Sequence, residues 1–360
     1  MSPSQAASEI FLMRVWQTSA SLAGFALVIA FGLAFKRVLE ARRQVRSDRR
    51  RAELSARVYA LLASPQEPTA EALPPYRKGD AAEIFTIALD VLRVTRGRDA
   101  DRMVELARLW GVPKHMRRVL GKGKRNLKVR VLTLLAHFRD EESLELLRSR
   151  IEDPALYVQL AALRGLADRG DIQSFARVVR ALGNARTTNV PMLADILRRF
   201  GEPAVPALGA LARSDGATPG VRLAATTALG SIGSLQAFEP LEILANHPDA
   251  GLRTRALESL GKLGDPRAQG AILAGLGAPE ARVRAQAALS AGMLALRSAI
   301  HPLEERLSDE AWEVRYRAAE ALYRMGPAGI AVLGAASGGT EGPAAEMARE
   351  LLAEMEGIAA

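Results

Sequence analysis

Along residues 127–335, apolar and small positions return with a nearly constant period, and that period organises the chain. An apolar residue stands at Val129, Val158, Val190, Val221, Leu252, Val283 and Val314, at intervals of 29, 32, 31, 31, 31 and 31. Four residues after each comes Thr133, Ala162, Ala194, Ala225, Ala256, Ala287 and Ala318, small in every case. Residues i and i+4 share a helix face, so each unit sets a small residue beside an apolar one where a neighbouring helix must come close. Second apolar stretches such as Phe238, Leu241, Ile243 and Leu244 follow, separated by turns at Gly230–Gly233, Gly261–Gly264 and Gly275–Gly277. Each unit reads as a helical hairpin. A hairpin of about 31 residues cannot bury both faces alone, and stacking seven of them gives one continuous core.

The pattern upstream is different. From Val15 to Phe35 run 21 residues without a charge, long enough for one helical membrane crossing. Lys36, Arg37, Arg42, Arg43, Arg46, Arg49, Arg50 and Arg51 follow this run and only Arg14 precedes it, and a Lys/Arg excess marks the cytoplasmic side. The expectation is an uncleaved single-pass anchor in a bacterial inner membrane, with a short exocytoplasmic N-terminus at 1–14 and the repeats in the cytoplasm. Ala26, Ala30 and Ala34, with Ala20 and Gly24, would let a second copy approach through the membrane helix. Residues 36–63 read as a basic juxtamembrane helix, solvated or with Arg42, Arg43, Arg46, Arg49, Arg50 and Arg51 contacting anionic lipid headgroups, and 64–79, with Pro65, Pro68, Pro74 and Pro75, as a linker. Residues 80–126 read as a degenerate helical start of the solenoid, Gly334 to Gly342 as a loop, and 343–360 as a capping helix.

Composition supports an all-α chain: aromatics are 5% and small residues abundant. With no cysteine, disulfides, thiolate metal sites and a cysteine nucleophile are excluded. The net charge of +9 is localised. Residues 36–57 hold nine Lys or Arg against three acids and residues 113–130 hold eight against none, so the remainder is net acidic. A chain-long basic stripe of the kind that tracks a nucleic-acid backbone is absent.

Val221, Arg222, Ala225, Ala228, Leu229, Gly230 and Gly233 follow V-R-x-x-A-A-x-A-L-G-x-x-G, as do Leu252, Arg253, Ala256, Leu260, Gly261 and Gly264. This resembles the HEAT-like repeats of the phycobilisome-lyase type, over residues 127 to about 335. The resemblance implies an α-α superhelix and, for function, a binding platform. Gln159 and Pro191 depart from the pattern where it has arginine, so the second and third units are divergent. The recurring Arg130, Arg222, Arg253, Arg284 and Arg315 are expected, from the resemblance, to bond locally to a preceding acid or carbonyl, with Asp249, Glu280 and Glu310 in place. A phosphate-binding ladder is the alternative.

No catalytic, cofactor or metal site is expected. The histidines, His115, His137, His247 and His301, lie far apart without companion ligands, and Gly121–Lys124 lacks the strand and the Ser/Thr of a P-loop. Positions two, three and six after each marker should face outward on the concave side. They include Leu160, Arg164, Met192, Leu193, Leu223, Arg255, Gln286, Leu289, Tyr316 and Arg317, a mixture suited to a protein-binding groove unless neighbouring units cover it. Lys114, Arg117, Arg118, Lys122, Lys124, Arg125 and Lys128 form a second basic run, either a solvated turn or a contact for anionic headgroups or an acidic partner. Aromatics for base stacking are missing from it.

The functional expectation is a membrane-anchored scaffold that binds a partner protein, takes no small-molecule substrate and catalyses nothing. It would recruit that partner to a membrane enzyme, such as a glycosyltransferase of envelope polysaccharide synthesis, or to a signalling complex. A lyase-like modifying enzyme and a nucleic-acid tether are the competing readings.

Overall fold

The computed structural model describes residues 16, 25, 29, 31–38, 44–45, 48–64, 77, 79–184, 189–339 and 341–359. The chain divides into two compact units, residues 1–118 and 119–360. All regular structure among the described residues is helical.

The first unit contains α1 (48–63), α2 (Asp80–Val94), α3 (Arg98–Leu109) and the first turns of α4 (Val112–Lys122). Its core is built from Leu54 and Val58 of α1, Ile84, Phe85, Ala88 and Val91 of α2, and Met103 and Leu106 of α3, all buried at helical spacing. Two polar contacts fix the ends of α1. Arg50 forks onto Asp80 at 3.1 and 2.8 Å, and Arg102 donates to the Leu61 carbonyl at 2.9 Å.

The second unit alternates odd and even helices. They are α5 (Arg125–Leu135) and α6 (Glu141–Arg148), α7 (Leu156–Asp168) and α8 (Phe175–Asn184), α9 (Val190–Arg198) and α10 (Val205–Arg213), α11 (Pro219–Ile232) and α12 (Phe238–Ala245). α13 (Ala250–Leu263) and α14 (Gln269–Leu276), α15 (Ala281–Met293) and α16 (Ile300–Arg306), and α17 (Trp312–Arg324) and α18 (Pro327–Ser337) complete seven hairpins. α19 (Pro343–Ala359) packs on the last of them.

Every marker falls on an odd helix. Val158, Val221, Leu252, Val283 and Val314 are buried, and so is the small residue four positions on from each. Val129 is half-buried and Thr133 exposed, because α5 has no odd helix before it in its unit. In α9, Pro191 sits at the first helical positions, where its missing N–H costs nothing, and Asn189 caps the helix by accepting from the Met192 N–H at 3.0 Å.

Each hairpin from α7 onward turns through one left-handed residue: Gly170, Gly201, Gly233, Gly264, Ala295 and Gly326, with φ between 47° for Ala295 and 76° for Gly264. Between α7 and α16 a single 3-10 turn then leads into the even helix, ending on Ser174, Ala204, Ala237, Ala268 or Ala299, all buried. Odd helices lie edge to edge through a seam of small residues. A Cβ at Gly261 would stand 2.8 Å from Ser290 Oγ, and one at Gly292 2.7 Å from Ala321 Cα. Gly230 meets Ser259 in the same way. The seam serines are bonded as well, Ser259 Oγ to the Thr226 carbonyl at 3.2 Å and Ser290 Oγ to the Leu257 carbonyl at 2.9 Å. Even helices touch one another far less, so the odd layer is the tight, inner side of the stack.

Two expectations are corrected. Among the described residues no helix is long and apolar enough to cross a membrane, so the transmembrane helix over 15–35 drops out of the architecture. A crossing needs about 20 consecutive apolar residues, whereas the continuous described helix there, 31–38, ends on Lys36, Arg37 and Val38. The remaining residues of 15–35, apart from Trp16, Phe25 and Ile29, lie outside the described residues, as do 1–14 and most of the 64–79 linker. The other correction concerns Gly334, which lies within α18 and not in a loop, since that helix runs on to Ser337.

Candidate protein-binding surface

The inner helices are buried on all sides but one. On α15 the residues after Ala281 that reach solvent are Arg282, Gln286, Leu289 and Met293, stepping by four, three and four along a single stripe. The same stripe continues through Leu223, Thr227 and Ser231 on α11, Arg255, Glu258 and Lys262 on α13, and Tyr316, Arg317, Glu320 and Arg324 on α17. Toward the start of the stack it passes through Met192 and Asp195 on α9, and Leu160 and Arg164 on α7. Of the residues named from spacing, Arg164 is exposed and Met192, Leu223, Arg255, Gln286, Leu289, Tyr316 and Arg317 are half-buried. Leu193 is buried, at 1% exposure, and so is Ala224, which stands at the same position on α11.

The charges on this face are held in place. On α13, Glu258 accepts from Lys262 at 2.6 Å and from Arg255. On α17, two units later, Glu320 accepts from Arg317 at 2.9 Å and Arg324 at 2.7 Å. On α9, Asp195 takes Arg198 at 2.5 Å and Arg199 at 3.0 Å, and Arg199 also reaches Asp168 of α7 at 2.6 Å. Spacing missed the tenth position after each marker, which gives Lys262, Met293 and Arg324. It also missed Trp312, which is 53% exposed and stacked on Tyr316 with ring centroids 5.2 Å apart. Extending the three-and-four step by one more turn recovers the first three.

Three of the recurring arginines, Arg253, Arg284 and Arg315, bond inside the stack. Arg253 Nη1 donates to the His247 and Pro248 carbonyls at 2.9 and 2.8 Å, Arg284 Nη1 to Ala278 and Pro279 at 2.9 and 2.8 Å, and Arg315 Nη1 to Asp309 and Glu310 at 2.8 and 3.2 Å. Each thereby ties the loop before its helix to the first turn. The acids differ from expectation, because they answer the arginine one unit earlier. Glu280 pairs with Arg253, while Asp309 and Glu310 face Arg284. Asp249 instead caps α13 by accepting from the Leu252 N–H at 2.9 Å, and that bond, against burial, holds its carboxyl below the ordinary range.

The basic segments separate into different roles. Arg50 is taken up by Asp80 and Glu53, and Arg51 pairs with Asp90 at 2.5 Å. Arg49 is exposed, and Arg42, Arg43 and Arg46 lie outside the described residues. Lys114, Arg117 and Arg118 are exposed in the first unit, as are Lys122, Lys124 and Arg125 in the second, where Lys128 is half-buried. His115 stands against the Phe85 ring, and burial, with Arg118 nearby, lowers its pKa.

A shallow pocket of about 310 Å3 opens beside Arg148, Arg169 and Asp171, and no sequence signal pointed to it. Its charges are engaged with each other and with the backbone. Arg148 forks onto Asp171 at 2.9 and 2.8 Å and also holds Glu141 and Glu145, while Arg169 donates to the Phe138 and Asp140 carbonyls.

Two family models match part of this stack. The family model for HEAT repeats matches residues 238–323, and that for the PBS lyase HEAT-like repeat matches residues 221–247. Together they cover α11 to α17, less than half of the chain. No curated protein matches the sequence. Among solved structures, the chain is similar to human deoxyhypusine hydroxylase in complex with glycerol (16% identity, 77% of this chain and 98% of that one, TM-score 0.31). It is also similar to a Kap121p mutant (12% identity, 76% of this chain and 37% of that one, TM-score 0.46) and to an engineered protein (18% identity, 59% and 96%, TM-score 0.33). These likenesses concern helical arrangement and carry nothing about activity.

Proposed function

We propose that the chain is a scaffold that binds a partner protein through the inner stripe of its HEAT-like stack and performs no chemistry of its own. One observation carries this reading. The stripe from Leu160 to Arg324 is continuous and solvent-facing, and it mixes apolar, aromatic and arginine side chains that the stack does not bury. Surfaces of that composition bind proteins, with aromatic and arginine anchors contributing most. The recurring arginines Arg253, Arg284 and Arg315, by contrast, are spent on carbonyls inside the stack. Bringing the bound partner to an enzyme or a signalling assembly is the role this reading assigns to the scaffold.

A photo-cross-linking amino acid placed at Leu289 in the full chain, in the native cell, tests it. The control position is Ile243 on α12, which is 48% exposed in the outer layer. A defined protein adduct from position 289 and none from 243 is the expected result. Equal labelling from both, or none from either, overturns the reading.

A further inference from the structure

The section of the stripe on α13, α15 and α17 has a charge pattern that the stack itself does not require. We propose that it takes an extended acidic segment of the partner protein. An apolar side chain of that segment seats on Leu289 and Met293, and flanking carboxylates meet Arg255 and Lys262 on one side and Arg317 and Arg324 on the other. The proposal rests on the scaffold reading above and names the chemistry of its ligand.

Charge and register carry it. Both outer helices of the three bear the same cation–acid–cation set at equivalent positions, net +1 each, and α15 between them is uncharged from Gln286 to Met293. Within each set the acid is the most sheltered member: the Glu258 side chain is 25% exposed beside Arg255 at 38% and Lys262 at 50%. Likewise Glu320 is 17% exposed beside Arg317 at 35% and Arg324 at 45%. The carboxylates thus anchor cations that remain the more exposed members of each set. A guanidinium has five donors, more than one carboxylate can use, and a cation already held in place loses less freedom on binding. The α15 rung between them offers Leu289, half-buried, and Met293, 43% exposed, a soft apolar seat.

The spacing selects an extended chain. Neighbouring helices lie about 8–10 Å apart, so α13 and α17 are about 16–20 Å apart, which an extended peptide crosses in about five or six residues. A bare polyanion fits less well, because two rungs of net +1 separated by an uncharged one give little counterion release.

The test uses the full chain and fluorescein-labelled Gly-Glu-Glu-Ser-Leu-Met-Ser-Glu-Glu-Gly, read by anisotropy. Comparison peptides carry Gln for Glu, Lys for Glu, or Ser for both Leu and Met. Binding of the acidic peptide is expected to weaken about tenfold or more in Arg255→Glu with Arg317→Glu, and similarly with the Gln and Ser peptides. Circular dichroism and melting of the variant should be unchanged. If charge reversal lowers melting, Lys262→Gln with Arg324→Gln at the more exposed cations gives the same readout. No binding of the acidic peptide at about 1 mM, equal binding of the Lys peptide, or indifference to both variants overturns the proposal. So does complete displacement by phosphatidylglycerol vesicles or a short DNA duplex with no effect of the Leu-Met centre. A partner cross-linked at position 289 while these peptides fail would sink the acidic segment and leave the scaffold reading standing.

Discussion

Arg284 and Asp309 form a buried two-point ion pair across adjacent units, Nε to Oδ2 and Nη2 to Oδ1 both at 2.8 Å. Their side chains are 8% and 3% exposed, and the remaining guanidinium nitrogen is satisfied by the Ala278 and Pro279 carbonyls. The pair therefore joins the loop before α15 to the loop before α17, one repeat on. Removing one partner leaves the other buried charge only a longer ionic contact, Arg284 with Glu310 at 3.6 Å or Asp309 with Arg306 at 3.7 Å. Asp309→Ala or Arg284→Ala should cost about 3–5 kcal/mol, read as a lowered urea midpoint. Arg253→Ala should cost less, since its partner Glu280 is open to water. A loss at Arg253 as large as at Arg284 would contradict the burial argument.

The same pair makes stability depend on pH. Burial pushes the Asp309 carboxyl up, but bonds from Arg284 and the Ala311 N–H outweigh it and hold the pKa below the ordinary carboxylate value. Asp171 is lowered in the same way, with burial opposed by Arg148 and Ser174, and Asp80 is lowered chiefly by Arg50. For a depressed carboxyl the native state binds fewer protons than the unfolded chain near the unfolded pKa. Its contribution is therefore complete above that value, about 3.9, and is lost as pH falls through the folded one. The melting temperature should be level above about pH 5 and drop below about pH 4, and Asp309→Asn should start lower and drop less steeply. A variant with an unchanged acid slope would show that Asp309 does not carry this dependence.

Much of this stack was legible in the sequence because its constraints are local and repeated. The small residue after each marker and the glycine turns each report a steric demand that returns in every unit, so the hairpins and the solvent stripe could be read from spacing. Arg284–Asp309 could not, because the partner belongs to the next unit and the pairing depends on how far one hairpin is rotated against another. Arg50–Asp80 hides for a similar reason, since a run of arginines looks uniform until one of them finds a buried acid 30 residues away. Leu193 shows the limit of counting, since one residue along a helix, about 100° of rotation, separates it from the partly exposed Met192.

Ala295 occupies the left-handed position that glycine fills in the five other turns from Gly170 to Gly326, at φ 47°. A Cβ in that region costs about 1–2 kcal/mol, partly offset by the greater chain freedom glycine loses on folding. Ala295→Gly should raise stability by about 0.5–1 kcal/mol, seen as a higher melting temperature. A decrease would mean that the turn after α15 is not strained by its side chain.

The glycine seam should tolerate loss of a hydroxyl far better than gain of a side chain. Ser290→Ala removes the buried bond to the Leu257 carbonyl and a 3.3 Å bond accepted from Gln286, whose amide can turn to water, for about 0.5–1.5 kcal/mol. Gly261→Val drives three carbons into Ser290, where even a single Cβ would stand 2.8 Å from its Oγ, and should cost about 1–3 kcal/mol or more. Chemical denaturation of the two variants gives the comparison, and equal losses would rule out close helix approach at this point.

Ala256 and Arg255 are neighbours in sequence, about 100° apart around α13, one buried and one partly exposed, which makes them a test of the whole stripe. Ala256 is 0% exposed and sits among the inner helices, where added volume cannot be relieved without separating them. Ala256→Leu should lower stability by about 1–3 kcal/mol, and the distortion should spread to α11 and α15, because each unit is stabilised mainly by its neighbours. The Arg255 side chain is 38% exposed, and its acid, Glu258, keeps Lys262 as a second partner. Arg255→Ser should therefore change stability by no more than about 0.5 kcal/mol. Hydrogen exchange reads the spread and denaturation reads the totals. Equal losses at the two positions would place Arg255 inside the packing, and the stripe from Leu160 to Arg324 would then no longer be a surface at α13.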